Sequence, residues 1–383
     1  MKDWINARFE EHLALLKTLA AIPAPSHRED RRADFILGLC GSMGFSRAYI
    51  DEAKNVIVPF FDEGDNDIAI YSAHTDVVFP DETPLPVREE AGRLYAPGVG
   101  DDTANAAAML TMLRYIKEKE PVRTSPFAFV FNTCEEGLGN LKGIRQIMKD
   151  FGGRVKQLVS FDCSFEEGMV VRAVGSERWR VTASAQGGHS YMDFGRANAI
   201  ERMASFIERL YAQRVPEKEN CRATYNVGMI SGGTSINTIA QSCEALYEYR
   251  SDDRECLSLL RAGFEKLLAE ADTAEARFEA QLIGERPCGG EVDPERLSAL
   301  FARCEAAIVN VTGERPKRFS ASTDANIPLS LGVPAVTFGL FSGEGAHTRD
   351  EWLDIASLRT GLEIGLTLLL SENYACNSRN NIL

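Results

Sequence analysis

The sequence predicts an α/β protein with a mixed, mainly parallel sheet that has helices on both faces, interrupted by a smaller α+β domain. Continuous apolar runs of strand length, such as 68–73 and 126–132, alternate with a segment of helical periodicity at 103–119. From about Gly175 the apolar residues recur at every second position, which is typical of antiparallel strands with one exposed face. At 383 residues, the chain exceeds the usual size of one hydrophobic core, so two domains are expected.

Strands and helices alternate along the first part of the chain. Residues 1–20 have the pattern of an amphipathic helix, and Ser26 and Glu29 have the spacing of a capping box before a helix that runs to about Cys40. The segments that follow are strands at 55–60 and 67–71, a helix at 103–119, a strand at 126–132, a helix at 141–149 and a strand at 157–161. Such alternation predicts parallel strands joined by helices.

A second pattern predicts an inserted domain at 176–286. Its predicted segments are a strand at 177–186, a helix at 198–214, strands at 223–230 and 243–250, a helix at 253–270 and a last strand. This order is that of a ferredoxin-like α+β module. After a linker at 286–290, a helix at 294–309 and a strand at 334–339 return to the first pattern. The first domain is therefore predicted in two pieces, 1–175 and 287–383.

Composition and charge argue against several classes of function. Lys plus Arg is 42 and Asp plus Glu is 56, so the net charge is -14. A nucleic-acid partner, which needs a basic face, is not expected. No apolar run is long enough to cross a membrane and no signal-peptide pattern is present, so we expect a cytoplasmic protein without a membrane partner. The nine cysteines include no C-x-x-C pair, which indicates reduced, mostly buried thiols.

Potential metal ligands follow the ends of the predicted buried strands. They are His74 after 68–73, Glu135 and Glu136 after 126–132, Asp162 after 157–161, His347 one loop after 334–339, and Asp101 in a Gly-rich loop before a helix. The carboxyl ends of parallel strands meet at one sheet edge, where α/β proteins place their ligands. A His and an Asp at one strand end are commonly solvated loop residues, but five such positions together favour a site.

The residue types suit a pair of divalent metal ions. Two histidines and three carboxylates are the mixed nitrogen and oxygen donors that zinc accepts, and cobalt or manganese can use them too. Two such ions can activate a shared water and polarise a carbonyl oxygen. Because Glu135 and Glu136 are adjacent at a strand end, they point differently. One can bind metal while the other serves as a general base.

Five short motifs carry a resemblance to a known family. They are Ser72-Ala73-His74-Thr75-Asp76, Gly100-Asp101-Asp102, Cys134-Glu135-Glu136-Gly137, Phe161-Asp162 and Gly345-Ala346-His347-Thr348. The series resembles that of the co-catalytic zinc peptidase and deacylase family, which includes peptidase T, acetylornithine deacetylase, aminoacylase and glutamate carboxypeptidase. The chain is most similar to the peptidase T-like members. The resemblance implies a catalytic di-metal domain at 1–175 and 287–383, a lid and dimerisation domain at 176–286, and a homodimer.

The resemblance also implies a role for each matching residue of the first domain. One metal, zinc by analogy with the family, is held by His74, Asp101 and Asp162. The second is held by Asp101, Glu136 and His347, with Asp101 bridging. Asp76 orients His74, and Glu135 is the general base. Spacing alone gives no role to Asp102 or to Asp324, and Asp102 could simply be a favourable acid in the first turn of a helix.

Three residues of the insert resemble positions that contact substrate. His189, in Gly187-Gly188-His189-Ser190, is similar to a histidine that stabilises the oxyanion and that dimeric members supply from the partner subunit. Asn237 and Arg250 resemble substrate-binding positions, where an arginine fork can hold a carboxylate. Plainer interpretations are a surface loop for His189, a turn for Asn237, and pairing of Arg250 with a neighbouring acid.

The predicted reaction is hydrolysis of an amide or peptide bond by a water that two zinc ions activate, with Glu135 as the general base. In the family, an aspartate at the position of Asp162 is typical of aminopeptidase-like and dipeptidase members. Short peptides cleaved by an aminopeptidase or tripeptidase activity are therefore favoured. The alternatives are an N-acyl-amino-acid deacylase, a phosphoesterase, and a protein that binds metal or a partner without catalysis.

Overall fold

The computed structural model describes residues 1–375. The chain divides into two compact units. The first consists of Met1–Arg172 together with the chain from Gly290 onwards, and the second is Ala173–Gly289. Among the described helices, none is long and apolar enough to cross a membrane.

Nine α-helices occur in residues 1–375: α1 (Lys2–Ala21), α2 (Asp30–Ser42), α3 (Asn105–Lys119), α4 (Lys142–Phe151), α5 (Ala199–Tyr211), α6 (Arg254–Ala271), α7 (Pro294–Thr312), α8 (Asn326–Ser330) and α9 (Ser357–Asn373). The strands of the same residues are β1 (Tyr49–Ile50), β2 (Val56–Phe60), β3 (Ile68–His74), β4 (Arg88–Glu90), β5 (Arg93–Tyr95), β6 (Phe127–Asn132), β7 (Val155–Phe161), β8 (Met169–Ala173), β9 (Gly175–Ala185), β10 (Gly188–His189), β11 (Ala223–Gly232), β12 (Thr238–Ile239), β13 (Ser242–Ser251), β14 (Ala276–Arg286), β15 (Arg318–Ala321), β16 (Ala335–Phe338), β17 (Gly343–Glu344) and β18 (Trp352–Asp354).

The first unit is built on an eight-stranded sheet with the order β1-β2-β6-β3-β7-β16-β8-β15. Its four central strands, β6, β3, β7 and β16, run parallel to one another, whereas β1, β2 and β8 pair antiparallel with their neighbours. Helices α2, α3 and α7 pack against strands of this sheet. The predicted mixed, mainly parallel sheet is confirmed.

The central strands are continuous apolar runs because both of their faces are covered. Every residue of β6 is buried, and so is every residue of β3. The aromatic rings of Phe127, Phe129 and Tyr71 contact one another in the core beside the sheet. Burial of such a side chain stabilises the fold by about 1.5–3 kcal/mol. The core therefore fixes the strands whose ends carry the candidate ligands.

A second, smaller sheet of the first unit has the order β17-β18-β5-β4. Its strands are only two or three residues long, so they lack a periodic pattern and sequence analysis did not predict them. The pairing of β18 with β5 brings two loops together, 96–104 after β5 and 345–351 between β17 and β18. The first loop contains Asp101 and the second contains His347.

The second unit contains a four-stranded antiparallel sheet with the order β11-β13-β9-β14. Its elements follow the chain as β9, α5, β11, β13, α6 and β14, which is the connectivity of a ferredoxin-like module. Helices α5 and α6 pack on the sheet around a core that includes Phe206, Tyr247 and Phe264. The predicted α+β module is confirmed.

The predicted capping box at Ser26 and Glu29 is wrong. Helix α2 begins at Asp30, and its N-cap residue Glu29 makes no capping hydrogen bond with its side chain. The Ser26 hydroxyl instead donates to Asp76 Oδ2 (2.7 Å), and Glu29 Oε1 accepts the backbone N–H of Cys134 (3.0 Å). Both side chains therefore make tertiary contacts near the candidate site instead of capping the helix.

Candidate metal centre

Three of the predicted ligands lie at the carboxyl edge of the large sheet. His74 is the last residue of β3, which lies between β6 and β7 and is level with Asn132 of β6. Glu136 follows β6 after a turn in which Cys134 has a φ of +58°, and Asp162 directly follows β7. Since the three strands are parallel, their ends deliver these side chains to one place.

The remaining predicted ligands, Asp101 and His347, lie on the two loops that the small sheet holds together. Asp101 Oδ1 lies 2.9 Å from His74 Nε2, and Asp101 Oδ2 lies 3.0 Å from His347 Nε2. His347 Nε2 is also 3.2 Å from Glu136 Oε1. The donor atoms of Asp101, Glu136 and His347 all lie within 4.8 Å of one another. Asp101 is thus placed between the two imidazoles, with one oxygen towards each.

Asp162 and Glu135 complete the cluster around His74. The donor atoms of His74, Asp102 and Asp162 lie within 4.8 Å of one another, and so do those of His74, Glu135 and Glu136. These five side chains are buried, whereas Asp101 is half-buried and His347 is exposed. The structure therefore brings the five predicted metal ligands and the predicted general base into one group.

The charges of this group fit divalent cations. Burial, followed by the charge of Asp101, raises the pKa of Glu136 to about 7 and raises that of Asp162 well above its ordinary range. Hydrogen bonds to Asp101 and Glu136 raise the pKa of His347 to about 11. Burial favours a protonated Asp101, but contacts with His347 and His74 outweigh it and lower the pKa of Asp101. Two divalent ions would relieve the repulsion among these carboxylates and use the same imidazole and carboxylate donors.

Asp76 positions the glutamate pair more directly than it positions His74. Its Oδ1 accepts the N–H of Glu135 (2.9 Å) and its Oδ2 accepts the N–H of Glu136 (2.9 Å). His74 Nδ1 lies 3.0 Å from the backbone oxygen of Asp76 and 3.5 Å from its carboxylate. The backbone carbonyl therefore orients the imidazole, while the carboxylate fixes the turn that presents Glu135 and Glu136.

Asp102 and Asp324 are both fully buried beside the ligands. Asp102 Oδ2 accepts the N–H of His74 (2.8 Å), and its Oδ1 accepts the side-chain amide of Asn105 (2.6 Å). Since both oxygens already accept hydrogen bonds, Asp102 serves to tie the Asp101 loop to the end of β3. Asp324 Oδ2 accepts the side-chain amide of Asn132 (2.6 Å), the last residue of β6.

Glu351 is a functional residue that sequence analysis missed. Its buried carboxylate accepts three backbone N–H groups at 2.8 Å each, those of Gly98, Gly100 and Asp101. Burial, followed by the charge of Asp101, raises its pKa to about 7. Glu351 thus holds the loop that presents Asp101, the predicted bridging carboxylate. The sequence offered little indication of this role, because an acidic residue four positions after His347 is typical of an ordinary exposed loop.

Replacing Glu351 with glutamine should therefore weaken the centre. The side-chain NH₂ of Glu351→Gln would oppose a backbone N–H, so the loop and Asp101 would shift. Loss of a residue that orients a metal ligand typically costs about 10–100-fold in metal affinity or activity. Titration of the metal-free protein with Zn²⁺ or Co²⁺ measures the affinity. Glu314→Gln, at an exposed glutamate after α7, is the control, and equal metal affinity in both variants would contradict this role.

Two further buried side chains, neither predicted, support the same turns. Glu29 accepts the N–H of His27 and of Cys134 (both 3.0 Å), which stabilises the turn before Glu135. Arg32 donates to the backbone oxygen of Thr75 (2.9 Å). Burial lowers the pKa of the Arg32 guanidinium to about 10. Both residues lie on or next to α2, far from the ligands in sequence; no motif marks Arg32, and the capping pattern at Glu29 points to a different contact.

In the second unit, His189 and Asn237 lie side by side and Arg250 lies elsewhere. His189 belongs to β10, which pairs with β12, and the N–H of Ser190 donates to the backbone oxygen of Asn237 (3.0 Å). His189 and Asn237 are exposed. Arg250, on β13, makes two hydrogen bonds to Glu248 (2.9 and 3.0 Å). A substrate carboxylate would have to compete with Glu248 for this guanidinium.

Comparison with known proteins gives the relationships of the chain. The profile of peptidase family M20/M25/M40 matches residues 70–371. Acetylornithine deacetylase from Myxococcus xanthus is 28% identical over 289 residues, which cover 72% of this chain and 71% of that protein. Succinyl-diaminopimelate desuccinylase from Corynebacterium glutamicum is 22% identical over 367 residues, which cover 94% and 96%. The crystal structure of a Staphylococcus aureus tripeptidase matches with a TM-score of 0.76 at 22% identity, covering 94% of this chain and 97% of that one.

The profile match includes every predicted metal ligand, from His74 to His347, and covers part of each piece of the first unit and the whole of the second. The resemblance inferred from the five motifs is therefore confirmed. The chain belongs to peptidase family M20/M25/M40.

Proposed function

We propose that this protein is a metal-dependent hydrolase that removes a residue from the amino end of short peptides. The observation that carries the proposal is the position of Asp101, whose two carboxylate oxygens face the imidazoles of His74 and His347 at 2.9 and 3.0 Å. One carboxylate between two imidazoles suits a bridging ligand. His74 and Asp162 would complete one metal site, and Glu136 and His347 the other, with zinc, cobalt or manganese as the ion.

When bound, two divalent ions lower the pKa of a water molecule and polarise a carbonyl oxygen. The chain supplies the proton transfers. Glu135 is held next to this group because its backbone N–H donates to Asp76 Oδ1, and its side chain is 5% exposed. In the proposed reaction its carboxylate accepts a proton from the attacking water and returns it to the leaving amine.

His189 is the proposed donor to the oxyanion. Its Nδ1 accepts the backbone N–H groups of Tyr191 (3.2 Å) and Met192 (3.4 Å). This pattern assigns the ring hydrogen to Nε2, where it can donate to a developing negative charge. We further propose that the partner subunit of a homodimer supplies this residue. The edge strand β11, with Met229 and Ile230 exposed at 64% and 54%, is a surface suited to such pairing.

Two substrate classes need to be separated. The aspartate at position 162 and the fold likeness to a tripeptidase support short peptides. N-acyl amino acids are the second candidate, because two relatives by sequence are a deacetylase and a desuccinylase. Both classes share an amide bond whose carbonyl would occupy the same place at the metal centre.

A substrate panel distinguishes the two classes. The purified protein, loaded with Zn²⁺, Co²⁺ or Mn²⁺ in parallel, should release the first residue of tripeptides and leave the same peptides intact when their amino group is acetylated. N-acetyl and N-succinyl amino acids should be poor substrates. Release of free amine can be followed by mass spectrometry. Turnover of the acylated amino acids alone would overturn the peptidase assignment and keep the hydrolase, whereas no turnover of either class with any metal would overturn both.

A further inference from the structure

Two cysteine thiols are in contact in the second unit. The sulfur atoms of Cys221 and Cys256 are 3.3 Å apart. Cys221 precedes β11 and is half-buried, whereas Cys256 lies in the first turn of α6 and is 2% exposed. The proposed metal centre belongs to the first unit and uses neither residue.

The backbones of both cysteines are held in place. The N–H of Cys221 donates to the backbone oxygen of Lys218 (3.1 Å), and the N–H of the next residue, Arg222, donates to Asp252 Oδ1 (2.7 Å). The N–H of Cys256 donates to Asp253 Oδ1 (3.0 Å), which caps the helix. The close approach of the two sulfurs therefore follows from the fold of the module.

The distance between the sulfurs favours a covalent bond over a shared metal. Asp253 lies near both thiols, so a metal site with two thiolates and one carboxylate is the alternative. Two thiolates bound tetrahedrally to zinc at about 2.3 Å would lie ~3.8 Å apart, farther than observed. In addition, Asp253 Oδ1 caps α6 and Asp253 Oδ2 pairs with Lys218 Nζ (2.7 Å). A disulfide needs only a small approach of the sulfurs from their present positions.

We propose that Cys221 and Cys256 form a reversible disulfide in exchange with a low-molecular-weight disulfide such as oxidised glutathione. The Cys221 thiolate attacks the disulfide, which gives a mixed disulfide and releases one reduced glutathione. The Cys256 thiolate then attacks the Cys221 sulfur and releases the second. The protein loses two thiol protons and two electrons, and one oxidised glutathione becomes two reduced molecules.

The environments of the two thiols fix this order of attack. Only Cys221 is accessible enough to meet a dissolved disulfide. Burial, followed by the contact with Cys221, raises the pKa of the Cys256 thiol to about 12, so Cys256 is a poor first nucleophile. As the resolving thiol, Cys256 reacts with a sulfur that is already beside it. The glutathione that Cys256 displaces leaves as a thiolate and takes up the proton that Cys256 gives up.

A disulfide between Cys221 and Cys256 would fix the edge strand of the four-stranded sheet in the second unit. Strand β11 is at the end of its sheet and pairs only with β13 among the described strands, so its first residues are held on one side. A disulfide from Cys221 to α6 would hold that end and close a loop of 35 residues. Closing a loop of this length in the unfolded chain stabilises the folded state.

The test uses the full protein in the reduced and the oxidised state. After incubation with oxidised glutathione, trypsin should release Glu219–Arg222 joined to Glu255–Arg261, and a thiol reductant should separate them. Oxidation should raise the Tm on the order of 5 °C in the wild type and not in Cys221→Ser or Cys256→Ser. Cys288→Ser is the matched control, since the Cys288 thiol donates to the backbone oxygen of Ser251 (3.3 Å) in the same unit and its loss should leave the cross-link intact.

Each other result would overturn the proposal. A glutathione adduct that stays on Cys221, or no modification at all, would show that Cys256 does not resolve the mixed disulfide. A metal ion that elemental analysis finds in the wild type and misses in Cys256→Ser would identify the pair as a metal site. The joined peptides are detected in the wild-type protein, so this result does not depend on whether a serine variant folds.

Discussion

Replacing Glu135 with glutamine should abolish turnover and leave both metal ions bound. The change preserves the shape of the side chain and removes the group that accepts the proton of the attacking water. A positioned general base contributes about 10²–10⁴-fold, and Glu135 is proposed to act twice, so a loss of at least about a thousandfold in kcat is expected. Peptide hydrolysis gives the rate, and elemental analysis of the dialysed protein gives the metal content.

The adjacent variant Glu136→Gln is the matched control. The backbones of both residues donate to the carboxylate of Asp76, so the two substituted side chains project from the same turn. Only Glu136 lies in the cluster with Asp101 and His347. Glu136→Gln should therefore lose metal, whereas Glu135→Gln should not. If Glu135→Gln kept most of the activity, or lost metal as Glu136→Gln does, the assignment of Glu135 as the general base would be wrong.

The part of the site that could be predicted from sequence is the part that strand ends define. His74 and Glu136 follow continuous apolar runs and Asp162 follows a shorter, mostly apolar one, and all three are mostly buried parallel strands whose order forces their ends together. Asp101 and His347 could be named as candidates from their loops, but only the resemblance to a family gave Asp101 a bridging role and paired it with His347. The pairing of β5 with β18 joins them, and strands of three residues leave no periodic signal.

The supporting residues were missed because their partners are backbone atoms of distant segments. Glu351 binds N–H groups 250 and more residues earlier in the chain. Glu29 matched a local capping pattern, yet its side chain binds Cys134. Helix α9 went unpredicted for a different reason. Most of its residues are buried and few are exposed, so its apolar residues do not form a clear one-sided pattern.

Replacing Asp101 with asparagine should remove metal from both sites and reduce turnover by about a thousandfold or more. Asp101 faces both imidazoles, so it is the one ligand that the two proposed sites share. The amide NH₂ of Asp101→Asn cannot bind a cation, and the lost charge weakens attraction to both ions. Metal ions acting as Lewis acids contribute several kcal/mol to the transition state, which corresponds to this loss in rate. Calorimetric titration of the metal-free protein should show that both binding steps weaken.

The variant Asp102→Asn tests whether metal binding depends on Asp101 in particular or on any negative charge in this loop. Asp102 is the next residue and is more deeply buried, and its oxygens accept hydrogen bonds from His74 and Asn105. An asparagine there should leave one buried N–H without an acceptor, at a cost of about 1–3 kcal/mol in the free energy of unfolding, and should still bind two metals. The opposite result, with metal lost from Asp102→Asn and retained by Asp101→Asn, would move the bridge to Asp102.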